Sequence, residues 1–176
     1  GILYNLKYIR QNKLIEVSSK DLVAEYVGQT APKTMEVINR AKGGILFIDE
    51  AYSLAVTNNN SYNAEAIATL IKAMEDYRDD LVVIFAGYTK EMNDFINSNS
   101  GISSRIGYTF IFEDYTTEEL KQIFIAMIKS SGFTINDSAL EKLEKIIEEN
   151  KNEKNFGNAR FVRNVYEKTI ILHASN

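Results

Sequence analysis

Hydrophobic positions along the chain fall into two textures. Up to about residue 114, uninterrupted apolar runs alternate with stretches of helical spacing. Ile45-Leu46-Phe47-Ile48 and Leu81-Val82-Val83-Ile84-Phe85-Ala86 carry no polar alternation, and they stop at Asp49-Glu50 and Gly87 respectively. A strand that is apolar on both sides is buried on both sides, which predicts a parallel sheet covered by helices. Leu14-Ile15-Glu16-Val17 and Tyr108-Thr109-Phe110-Ile111-Phe112 read as two further strands. Helical spacing is predicted over residues 2–11, from Ile2, Leu3, Leu6 and Ile9, and over 64–77, from Ile67, Leu70, Ile71 and Met74. A helix over 30–42 would have Thr30 as its cap, the only proline, Pro32, in its first turn, and Gly43-Gly44 as its stop. A short helix is expected over 91–96, and the Asn-rich stretch 57–63 predicts an exposed loop.

From Thr116 the texture is helical throughout: residues 117–130, 138–150 and 159–173, with the loop 151–157 before the last. The expected organisation is an α/β domain over 1–114 and a small all-helical domain over 115–176. The chain shows no internal repeat.

Composition narrows the class. At 176 residues, 45% hydrophobic and 25% charged, the chain suits one globular domain with a small appendage. A net charge of −4 argues against broad electrostatic binding to nucleic acid or an anionic membrane. With no cysteine, disulfides and thiolate metal sites are excluded. No apolar run approaches the roughly 18 residues of a spanning helix. The expectation is a cytoplasmic protein without nucleic-acid or membrane partners. His173, the only histidine, has no acid or nucleophile beside it and reads as structural.

The candidate chemistry starts at Asp49 and Glu50. Ligands of open parallel sheets bind outside the carboxyl ends of the strands, where these acids stand. A magnesium–nucleotide site needs one carboxylate for the metal, usually through water, and hydrolysis needs a second to orient the attacking water. The plain alternative is that the pair caps the following turn.

Gly43-Gly44-Ile45-Leu46-Phe47-Ile48-Asp49-Glu50-Ala51-Tyr52 resembles the Walker B element of AAA+ ATPases, closest to the family of the stage V sporulation protein K and the red-type rubisco activases. The resemblance continues through Asp79 to Tyr88, at Ser104-Arg105-Ile106 and at Asn158-Ala159-Arg160. It implies a P-loop-NTPase-like core with a helical lid, ATP and Mg as cofactors, and a homo-hexamer that acts on a protein substrate. Asp49 would hold magnesium through water and Glu50 would activate water. Arg105, in a Gly/Ser-rich turn where an arginine projects, matches the arginine finger that reaches a neighbouring subunit's nucleotide. Ser103 stands where many members carry a second arginine. Arg160, with Asn158 as its helix cap, matches the sensor-2 arginine. Sensor 1 falls on Tyr88 or Thr89. Tyr26-Val27-Gly28 resembles the pore loop that grips an extended polypeptide, with packing of Tyr26 as the alternative.

A phosphate loop reads G-x-x-x-x-G-K-[ST], and none of the nine glycines is followed by lysine. With no initiator Met and no cap before Ile2, the expectation is a fragment, truncated before or within its first helix and lacking the first strand and the loop. Such a fragment would be inactive while its parent hydrolyses ATP. A nucleotide-independent scaffold and a DNA-associated relative are the competing readings. Lys/Asn/Ile-rich composition favours the sporulation branch over the activase branch.

Overall fold

The computed structural model describes residues 1–56, 61–153 and 156–174. The chain divides into two compact units, residues 1–111 and 112–176.

The first unit is built on three parallel strands, β1 (Leu14–Val17), β2 (Ile45–Ile48) and β3 (Val82–Phe85), in the order β1-β2-β3. Ile45 pairs with both Leu14 and Val82, and Ile48 with both Val17 and Phe85, so the three strands end in register. Parallel strands need crossovers, and here α3 (Thr30–Ala41) leads from β1 to β2 and α4 (Ser61–Asp76) from β2 to β3. Leu46 and Ile48 are buried among Leu22, Ile38, Leu70 and Phe95, and each such side chain contributes roughly 1.5–3 kcal/mol by leaving water. The short helices α1 (Ile2–Asn5), α2 (Ser19–Leu22) and α6 (Ser100–Ser103), with α5 (Thr89–Ser98), complete the unit.

Several local expectations change. The helix expected over 2–11 is confined to Ile2–Asn5; Lys7 takes φ 61 and interrupts it, and only Ile9 of the apolar set is buried. Thr30 is the first residue of α3, not its cap: it is buried, and its hydroxyl accepts from the Ala24 N–H at 3.1 Å. Gly43, at φ 82, lets the chain leave that helix as expected. Of the predicted loop 57–63, residues 57–60 lie outside the described residues, while Ser61-Tyr62-Asn63 open α4.

The strand expected over 108–112 does not form. Those residues carry no regular structure, and Tyr108, Phe110 and Phe112 are 86%, 79% and 92% exposed. β propensity expresses packing against a neighbouring strand, and no described strand pairs with this segment.

The second unit consists of α7 (Thr117–Ser130), α8 (Asp137–Asn150) and α9 (Ala159–Ala174) around Leu120, Phe124, Ile128, Leu143, Ile147 and Val162. A capping box starts α7: the Glu119 N–H donates to Thr116 Oγ1 at 3.2 Å, and the Thr116 N–H donates to Glu119 Oε2 at 2.8 Å. The Asn136 side chain caps α8 by accepting from the Ala139 N–H at 2.9 Å. Asn158, expected as the cap of α9, takes φ 49; its side chain accepts from the Tyr115 N–H and donates to Asp114.

Candidate functional site

The carboxyl ends of the three strands are tied together by backbone hydrogen bonds. The Asp49 N–H donates to the Val17 carbonyl at 2.8 Å, joining β2 to β1. On the other side the Ala86 N–H donates to the Ile48 carbonyl, and the Ala51 N–H donates to the Ala86 carbonyl, both at 2.9 Å. The turn that follows β2 is therefore bonded to the segment that follows β3.

Asp49 and Glu50 are exposed at this end. Asp49 Oδ1 accepts from the Glu50 N–H at 2.9 Å. Glu50 has φ 48 and ψ 43, in the left-handed region. For a residue with a side chain that conformation costs about 1–2 kcal/mol and persists only where the surroundings enforce it. Here the 3₁₀ turn Ala51–Leu54 enforces it: the Ser53 N–H and Ser53 Oγ both donate to the Glu50 carbonyl, at 2.9 and 2.7 Å.

Tyr88 caps α5 and is largely exposed, and Thr89 is the first residue of that helix. The Tyr88 ring stacks on Tyr52, with centroids 6.2 Å apart and planes at 29°. Gly87 lies under the same ring; a Cβ there would fall 2.7 Å from Tyr52 Cδ1 and 3.0 Å from Met92 Cγ. Burial pushes the Tyr52 phenol up, and the charges of Glu50, Tyr88 and Glu91 push it the same way, so it stays a hydroxyl at neutral pH. Asp49, Glu50, Tyr52, Gly87 and Tyr88 are thus gathered at one end of the sheet. The part played by Tyr52 was missed in the sequence, although it stands in the matched run two places after Glu50.

The remaining candidates stand on other elements and loops. Tyr26-Val27-Gly28 forms an exposed loop before α3, with Tyr26 67% and Val27 86% exposed and Gly28 at φ 78. Tyr26 is therefore not a packed core tyrosine. Arg105 does not project freely: its Nη2 lies 3.2 Å from Glu75 Oε2, and Nη1 donates to the Gly101 carbonyl at 3.1 Å. In the second unit Arg160 is an exposed residue of the first turn of α9.

Residues 5–114 match the ATPase family associated with various cellular activities, AAA, and residues 116–176 match the AAA lid domain. The chain belongs to the AAA ATPase family. The CbbX protein of Cereibacter sphaeroides is 43% identical to this AAA protein over 176 residues, which is 99% of this chain and 57% of that one. The chloroplastic ribulose bisphosphate carboxylase/oxygenase activase of Cyanidioschyzon merolae is 43% identical over 175 residues, 99% of this chain and 60% of its own length. The chain thus spans well under two thirds of these curated relatives. Domain III of the replication initiation protein DnaA of Thermotoga maritima superposes with a TM-score of 0.62 at 14% identity, over 99% of this chain and 68% of that one, and shows the fold alone. These similarities put the AAA protein beside activase-type relatives, and the compositional lean towards the sporulation branch is set aside.

The AAA family uses ATP with magnesium, and the donor set here fits half of that requirement. Asp49 offers a carboxylate for a metal held through water, and no group of three or more metal-ligating side chains occurs among the described residues. A glycine-and-lysine phosphate cradle is absent from the 176 residues. Among the described residues, no helix is long and apolar enough to cross a membrane.

Proposed function

We propose that these residues are the acidic, water-activating half of a magnesium-dependent ATPase site, in a homo-hexameric AAA protein that remodels a protein substrate. The observation that carries this reading is the left-handed Glu50, held immediately after Asp49 at the carboxyl end of β2. Strain of this kind on a charged residue is expected where the position of its side chain matters.

Magnesium-bound ATP would supply the phosphoryl group and the charge of the metal, and these 176 residues carry no glycine-and-lysine cradle for its phosphates. Asp49 would orient water on the metal. Glu50 would accept a proton from the attacking water, and Tyr88 or Thr89, at the start of α5, would help place that water. Arg160 would contact phosphate from the lid. Arg105 would stabilise developing charge on the nucleotide of a neighbouring subunit. The exposed Tyr26-Val27-Gly28 loop would grip extended polypeptide, the aromatic ring giving contact area without demanding a particular sequence. The name of the Cyanidioschyzon merolae relative makes ribulose bisphosphate carboxylase/oxygenase the first protein substrate to test.

The decisive substitution is Glu50→Gln in the whole protein. The expected result is retained ATP binding with turnover reduced by about two orders of magnitude or more, the range for loss of a positioned general base. Unchanged hydrolysis would favour a nucleotide-independent scaffold with the AAA shape.

A further inference from the structure

One side chain bridges the two turns of the candidate site. Tyr52 sits in the 3₁₀ turn that holds Glu50, yet its ring lies on the far segment, over Gly87 and against Tyr88. We propose that Tyr52 is a positioning residue, whose ring clamps the turn carrying Glu50 to the turn carrying Tyr88, so that both water-placing groups keep a fixed separation. This rests on the reading of Glu50 as the group that activates water.

Three observations converge on it. The backbone joins the two segments at Ala86, whose N–H donates to the Ile48 carbonyl and whose carbonyl accepts from the Ala51 N–H, both at 2.9 Å, and neither bond includes Glu50 or Tyr88. The Tyr52 ring supplies a further, separated point of contact, at Gly87 and Tyr88 themselves. Position 87 has no side chain, and the space a Cβ would take is filled by Tyr52 Cδ1 and Cε1, 2.7 and 2.8 Å from where that atom would stand. Glycine at 87 is therefore accounted for by the ring, since its φ lies outside the positive range that favours glycine. Lastly, Glu50 occupies a backbone conformation that its own side chain disfavours. A residue two places along that is anchored elsewhere is a means of keeping it there.

The face of the ring lies over Gly87 and stacks on Tyr88, while the hydroxyl interacts with Glu50, so Tyr52→Phe keeps the first contact and removes the second. The contacts of the ring face are the Gly87 backbone and the Tyr88 ring. This separates a positioning role from proton transfer by the phenol, and it sets the pattern of variants.

The test measures ATP turnover and ATP affinity separately in the whole protein, for Tyr52→Phe, Tyr52→Ala, Gly87→Ala and the double variant Y52A/G87A. Tyr52→Ala is expected to lower kcat about tenfold or more with ATP affinity unchanged, and Tyr52→Phe to restore it. Gly87→Ala, which displaces the ring without removing it, is expected to lower kcat likewise, and it serves as the reading if Y52A does not fold. The double variant is expected to be no worse than the more impaired single one, because both remove the same contact. Normal kcat in Y52A or G87A, loss of turnover in Y52F equal to that in Y52A, or a loss confined to ATP affinity would overturn the inference. Normal turnover in Glu50→Gln would instead remove the reading beneath it and the inference together. An inactive E50Q beside a normal Y52A would sink the inference alone.

Discussion

Arg105 is bound to Glu75 across 30 residues of sequence. The guanidinium reaches from the segment after α6 to the last turn of α4, where Nη2 meets Glu75 Oε2 at 3.2 Å, while Nη1 bonds back to Gly101 and Ser104. An arginine so held would have to exchange a carboxylate for phosphate oxygens before it could serve a neighbour.

That exchange can be examined in mixed assemblies. Arg105→Ala in the whole protein is expected to retain ATP and to lose about 10³-fold in turnover, the lower end of the range for an arginine finger. Mixing Arg105→Ala subunits with Glu50→Gln subunits is expected to recover measurable hydrolysis, because some interfaces would then pair an intact Glu50 with an intact Arg105. A steady-state ATPase assay of the mixtures checks this, and mixtures no more active than their components would place the action of Arg105 within its own subunit.

The 176-residue chain on its own is expected to bind magnesium ATP weakly or not at all, since it holds the carboxylates without a phosphate cradle. Isothermal titration calorimetry decides the matter. Tight, magnesium-dependent binding would mean that other residues of this chain hold the phosphates.

Tyr26 separates substrate contact from stability. Its ring is exposed, so Tyr26→Ala is expected to change the unfolding free energy of the chain by no more than about 0.5 kcal/mol. In the whole protein the same change is expected to reduce remodelling of a protein substrate at least tenfold, with Tyr26→Phe close to wild type. A thermal melt and a remodelling assay give the two readouts. A large loss of stability would return Tyr26 to a packing role.

The capping box of α7 predicts an acid dependence. The Glu119 carboxyl is held below its ordinary value of 4.5 by the Thr116 backbone N–H first and then by the Thr116 hydroxyl. A carboxyl with a depressed folded pKa contributes stability above its unfolded pKa, and that contribution is lost as pH falls through the folded value. Thr116→Ala is expected to cost about 1 kcal/mol at neutral pH, as for other helix caps. It should also flatten the fall in stability below about pH 4.5, where the hydroxyl's share of the depression operates. Denaturant unfolding followed by circular dichroism at several pH values tests both.

The parts of the fold legible in the sequence were those whose signal is local. β2 and β3 are uninterrupted apolar runs that end at polar or glycine positions, and α7, α8 and α9 keep their period to within a residue or two of the observed ends. The segment 108–112 is mostly apolar and aromatic but has no described strand beside it, and composition cannot report a missing neighbour. Residues 2–11 keep an apolar spacing that Lys7 breaks with a single left-handed φ. At the site, Asp49 and Glu50 were readable because adjacent acids after a buried run are a linear pattern. The left-handed backbone of Glu50, the Tyr52 ring over Gly87 and the grip of Glu75 on Arg105 are relationships in space that no spacing encodes.

β3 has β2 on one side and no described strand on the other, so its outer main-chain donors and acceptors form a free edge. The exposed rings of Tyr108, Phe110 and Phe112 belong to the same chain. An open edge and a bare apolar stretch make a molecule that recruits strands from whatever protein is nearby. Handled alone at high concentration, this chain would meet mostly copies of itself, and self-association through such an edge is the expected first mode of loss from solution.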